Sequence, residues 1–161
     1  MNPSIELRIR TMMRALTEVI IPAIDSQNPL AMEQANLLLG HLQVLNQHQG
    51  REKQIEEIEH SALNELSHAL VEVCDGGHTT SAALSTIREL PQGVNTNELA
   101  HAIEELVISI GVDGSIPCKR KCKKLVIEHA RSSVLRARIW FKSMNFDHNP
   151  DVLPSTESLF T

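Results

Sequence analysis

Apolar residues recur along this chain every three or four positions, the spacing that gathers them on one side of an α-helix. Ile5, Ile9, Met12, Met13, Leu16, Val19, Ile20, Ala23 and Ile24 share one helical side, and Arg10, Arg14 and Glu18 fall elsewhere. Ser4 precedes the run and can accept from the free amides of its first turn. Pro22 lacks an N–H and crowds the turn before it, so a kink or an end near Ile21 is expected. Asn28-Pro29 restarts the chain as a cap followed by a preorganised first helical residue. This second helix is expected to reach about His48, stop at Gly50 and bury Leu37, Leu38, Leu42, Val44 and Leu45. The third, from Arg51 or Glu52 to about Cys74, keeps the period through Ile55, Ile58, Ala62, Leu63, Leu66, Ala69, Leu70 and Val73. Asp75-Gly76-Gly77 stops it.

A shorter helix is predicted from about Ser81 to Leu90, ended near Pro91-Gln92-Gly93. Asn95 or Thr96 begins the next, with Glu98 able to complete a capping box. Its apolar face is Leu99, Ala102, Ile103, Leu106, Val107 and Ile110, and Gly111-Val112-Asp113-Gly114 is expected to be a loop. Pro117 then opens a long helix, since Cys118 to Met144 contains neither Pro nor Gly. Short turns between helices favour antiparallel neighbours. The pattern predicts an all-α fold, an antiparallel helical bundle of four long helices with one or two shorter helices. One domain over 1–148 is expected, with 149–161 an irregular tail from which Leu153, Leu159 and Phe160 can dock.

Composition sharpens this reading. The chain has 161 residues, of which 42% are apolar but only 2% aromatic, so the core must be largely aliphatic. The charge is uneven. Nine of the fifteen Lys and Arg residues lie between Cys118 and Met144 against one acid, Glu128, although the net charge is -5. That balance argues against a broad nucleic-acid surface and leaves room for a local basic patch. No run of eighteen apolar residues suits a membrane span, and the first residues lack the apolar core of a secretion signal. A cytoplasmic protein with reduced thiols is the expectation, because three cysteines cannot all pair internally.

Several constellations could carry chemistry. Glu65 with His68, and Glu98 with His101, have the spacing found in helical di-metal sites. At about 100° per residue, however, both histidines point away from their helices' apolar sides, which makes ordinary surface pairs the expectation. No cofactor is expected, and the sequence leaves metal binding undetermined. His41 and His48 lie near the edge of the second helix's apolar side, with Glu59 as an acidic residue similarly placed on the third. These three are polar core-edge candidates.

Cys74, His78, Cys118 and Cys122 could form a zinc site if their segments met, but the spacing departs from the usual knuckle. The favoured reading keeps Cys74 buried and Cys118 and Cys122 half-exposed. Nearby cations and the helix start lower a thiol's pKa, so Cys118 is the reactive-thiol candidate. Lys119, Arg120, Lys121, Lys123 and Lys124 repel one another. Acids at Glu52, Glu56, Glu57, Glu59 or Asp113 could match them, or the cluster could bind an anion. Trp140 and Phe141 suit core or subunit contacts. No phosphate loop, HExxH motif, nucleophile elbow or iron–sulfur spacing is present.

The segment from Leu16 to Glu52 resembles part of small all-helical bacterial proteins found beside acyl-CoA dehydrogenase and aminoglycoside-phosphotransferase-like genes. Val19-Ile20-Ile21-Pro22-Ala23, Asn36 and Arg51-Glu52 carry the resemblance. It implies an accessory or binding role around acyl-thioester metabolism and transfers no active residue. The functional expectation is a non-catalytic small-molecule-binding or protein-interaction protein, recognising a small acidic ligand or acidic protein partner and forming a homodimer. The alternative is a helical metalloenzyme using Glu and His residues.

Overall fold

A computed structural model describes residues 2–144 and 146–161. Helix α1 (Ile5–Ala15) is capped by Ser4, whose Oγ accepts from the Leu7 amide at 3.2 Å. It runs without a break through a π turn, Leu16–Ile20, into the short α2 (Ile21–Ala23). That wider turn accommodates Pro22: the Ile21 amide reaches back to the Leu16 carbonyl, and the helix passes the proline before ending.

Asn28 Oδ1 accepts from the Ala31 amide at 3.1 Å and opens α3 (Pro29–His48). Gly50, at φ 81°, turns the chain into α4 (Glu52–Val73). The left-handed φ is one that glycine adopts without a Cβ clash. There follow α5 (His78–Arg88), α6 (Thr96–Asp113) and α7 (Ile116–Trp140). Asn95 Oδ1 caps α6 through the Glu98 amide at 2.9 Å.

Among the described residues the fold is thus all-helical, but four long helices with one or two shorter ones is corrected to six substantial helical runs. Two local causes account for the difference. The π turn makes one run of the first apolar stripe. Helix α6 also absorbs Gly111, Val112 and Asp113, which the residue pattern assigns to a loop, and reaches 18 residues. The added turn is held by the Gly114 amide, which donates to the Ile110 carbonyl at 3.0 Å, and by the bonds that Asp113 accepts from the Thr79 and Thr80 amides. Helix α7 ends earlier than expected, at Trp140, and a 3-10 turn covers Lys142–Met144.

The chain divides into two compact units, Met1–Lys53 with Leu135–Thr161, and Gln54–Val134. In the first, Ile9, Leu16 and Leu42 form a small core with Met13 and Leu39 against it. Its last residues make two 3-10 turns, Pro150–Val152 and Thr156–Leu159, and bury Leu153 and Thr156. Gln47 Nε2 donates to Thr156 Oγ1 at 3.1 Å and Lys142 Nζ to the Leu153 carbonyl at 2.8 Å. In the second unit, Leu66, Leu70, Leu84, Leu99, Leu106 and Ile110 lie in one larger core that also contains all three cysteines.

Candidate functional site

One end of the second unit is a clasp between the α4–α5 and α6–α7 loops. Helix α5 starts at His78 without a side-chain cap of its own at Gly77. Asp113, at the end of α6, caps it instead. Its carboxylate accepts from the Thr79 amide at 2.8 Å, the Thr80 amide at 3.0 Å and the Thr80 hydroxyl. The Thr80 hydroxyl, then that of Thr79, hold the Asp113 carboxyl well below the usual carboxylate range. The Gly77 amide donates to the Asp113 carbonyl at 3.0 Å, and Ser115 bonds Asp75 through both hydroxyl and amide. The close approach explains Gly76, Gly77 and Gly114, none of which has positive φ. A Cβ on Gly77 would stand 2.5 Å from Asp113 Oδ2, and one on Gly76 2.9 Å from the Gly114 Cα.

The cysteines lie just inside this clasp. Cys74, Cys118 and Cys122 are all buried and unpaired by disulfides. The expected half-exposure of Cys118 and Cys122 is corrected: they are 1% and 4% exposed. The inward side of α7's first turns takes them into the aliphatic core and leaves the lysines outside. Burial first, then hydrogen bonding with Cys118, pushes the Cys74 thiol up, and burial does the same for Cys122. Cys118, the reactive-thiol candidate, therefore sits away from solvent, and its amide donates to Ser115 Oγ at 3.2 Å. His78 is exposed. Among the described residues no group of three or more His, Cys, Asp or Glu could hold a metal ion. Neither the zinc set nor the Glu/His alternative therefore acquires a donor cluster.

Lys119, Arg120, Lys121, Lys123 and Lys124 are all exposed on α7. Lys119 Nζ donates to the Gly111 carbonyl at 3.0 Å, and Lys124 approaches Glu128 at 3.8 Å on an open surface. Such exposed pairs are weak. Among the described residues Asp113 makes no ion pair with the cluster, and its carboxylate accepts from Thr79 and Thr80. Beside the cluster, α6 and α7 leave a groove of about 400 Å³. Val107, Ile110, Val126 and Ile127 make its walls apolar, and Lys119 and Lys123 stand at its edge.

The histidines separate by environment. His68 and His101 are exposed, as their helical phase implies. His41 is exposed and Glu59 half-buried, whereas His48 is only 1% exposed. His48 Nε2 donates to the Trp140 carbonyl at 2.8 Å, and its ring stacks on the indole at 3.7 Å and 17°. Burial lowers its pKa most, the Trp140 carbonyl opposes that shift, and Arg51 adds to it. Trp140 meets Phe160 edge-on, and Arg51 lies over the Phe160 ring. Neither the Asp113 clasp nor the His48–Trp140 stack is evident from sequence pattern. The glycines at positions 76, 77 and 114 are the available sign of the clasp.

Fold and site together define a small all-helical protein without a metal-binding cluster among its described residues. No helix among those residues is long and apolar enough to cross a membrane. Comparison with protein-family models, curated proteins and solved structures finds no match.

Proposed function

We propose that this chain is a non-catalytic interaction protein that takes an acidic amphipathic helix of a partner protein against the α6–α7 face. The carrying observation is the apolar groove of about 400 Å³ with Lys119 and Lys123 at its edge. At about 100° per residue, Lys119 and Lys123 lie within roughly 60° of Val126 in the groove and Ile116 within roughly 80°, while Lys121 and Lys124 lie roughly 140–160° away. Ile116 and Ile127 are exposed large hydrophobics. A helix laid in such a groove buries apolar anchors, and its acidic flank meets the cations. Two-fold pairing of this face with itself would oppose like charges, so a second copy suits it poorly.

A labelled 18-residue peptide with one Leu face and one Glu flank supplies the test, read by fluorescence anisotropy. Lys119→Glu with Lys123→Glu is expected to weaken binding by about 100-fold, roughly the effect of two close charge pairs. Lys121→Glu with Lys124→Glu should change it far less. Equal losses in both double variants, or displacement of the peptide by inorganic phosphate alone, would sink the helix-docking reading.

A second observation supports the homodimer. Ile5, Met12 and Val19 are exposed at seven-residue intervals, as are Leu38 and Leu45 on α3. Arg10 with Glu6 and Arg14 with Glu18 are paired within the first helical run, so this apolar strip opposes little net charge in a two-fold pairing.

A further inference from the structure

The second unit holds another cavity, of about 430 Å³, between α4 and the segment that joins α5 to α6. His60, Asn64, Ser67 and His68 line it from one helix. Their spacing places them on a single side of α4, since residues three and four apart are helical neighbours. Arg88 and Gln92 face it from the other wall, and Val71, Ile87 and Leu99 supply apolar lining.

Charge sets this cavity apart. The chain has twenty acidic residues against fifteen basic ones, yet neither Asp nor Glu lines it. Two further hollows of this unit contain Glu56 and Glu59, or Glu98 and Glu105. Arg88 has no ion-pair partner among the described residues. His60 Nδ1 lies 3.2 Å from the Thr96 hydroxyl. If that hydroxyl donates, Nε2–H is left as a donor to a ligand. Ser67 is 5% exposed and its proton is committed to the Asn64 carbonyl at 2.9 Å, so its oxygen remains only as an acceptor. The donors available to an anion are therefore the Arg88 fork, the Asn64 and Gln92 amides and the imidazoles.

We propose that this cavity binds a small organic monocarboxylate with a compact apolar body. The Arg88 guanidinium grips the carboxylate, and Val71, Ile87 and Leu99 cover the body. A planar fork matches a carboxylate bidentately, and one formal cation matches one formal anion. The volume falls in the lower part of the range of about 300–1,000 Å³ usual for small-molecule sites. A polyphosphate would need more cations than this wall carries. This site is separate from the α6–α7 groove and stands or falls without it.

The test titrates the full ¹⁵N-labelled chain with phenylacetate, with 4-methylpentanoate and with the neutral phenylacetamide. Saturable shifts are expected for the amides of 88–90 and 92–94 and for those around His60 and His68 with at least one of the two carboxylates. Phenylacetamide should bind at least tenfold more weakly than phenylacetate if the latter binds, about 1.4 kcal/mol. Arg88→Gln should show the same loss for the bound carboxylate, and Lys119→Glu with Lys123→Glu should bind it as the parent does. Because the amide comparison uses the unaltered chain, a misfolded Arg88→Gln cannot obscure the outcome. Equal binding of acid and amide would overturn the proposal. So would an unchanged affinity in folded Arg88→Gln, or no saturable shift with either acid up to ~10 mM, where a Kd of about 1 mM would be near saturation.

Discussion

His48 and His41 are seven residues apart on the same side of α3, yet one is enclosed and the other open. What separates them is Trp140, brought over His48 from far along the chain. A ring kept neutral by burial has a distinct pH signature. Because the folded pKa lies below the ordinary 6.5, the unfolded chain binds more protons between those two values. Stability then rises with pH across that window, is complete above about pH 6.5 and falls as acid protonates the buried ring. Thermal unfolding between about pH 7.5 and 5 should show this decline, and His48→Gln should flatten it while lowering Tm throughout. A slope unchanged by that substitution would show that another group is responsible. The carboxylates act lower. Asp147, held by Arg138 at about 2, and Asp113 contribute stability above the ordinary carboxylate range, which is lost as pH falls below about 4.

At the scale of elements, α5 illustrates a helix whose start is provided by another helix's end. Local sequence places its beginning near Ser81, but the Asp113 cap draws it back to His78. Gly77→Ala should destabilise the fold by about 1–3 kcal/mol through overpacking, since φ at Gly77 is an ordinary -74° and only space is lacking. Asp113→Ala should also destabilise, by removing the cap. Combined, the two should cost less than their sum, because the added methyl then no longer meets a carboxylate. Urea unfolding of the parent, both single variants and the double variant measures the coupling, and strict additivity would refute the close approach as the reason for the glycine. The other helix starts were legible: Ser4, Asn28 and Asn95 each cap where their residue type and position foretold. Pro22 is recognisable as an interruption, but the π turn that carries the helix past it needs backbone coordinates to be seen.

For the whole molecule, the proposed homodimer tests the meaning of the exposed strip on α1. Met12→Glu places a charge in the middle of that strip, where the side chain is 48% exposed and its loss leaves little cavity. Light scattering coupled to size-exclusion chromatography should therefore give a dimer for the parent and a folded monomer for the variant. A parent that is monomeric at ~100 µM would discard the pairing, since a Kd weaker than that corresponds to only about 5.5 kcal/mol. The peptide-docking variants at Lys119 and Lys123 should leave this stoichiometry unchanged, as neither residue belongs to the strip.

The helical class, most helix starts and the gathering of cations on α7 were determined by the sequence itself. Each follows from periodicity, capping chemistry or simple residue order, which act within a few turns of chain. Tertiary structure decided which side of a helix became covered. It enclosed Cys118, Cys122 and His48, left Ile5 and Val19 open, and set Arg88 across a cavity from His60 and Asn64. Those outcomes depend on residues tens of positions away, and the fields, volumes and hydrogen bonds involved exist only after the segments have come together.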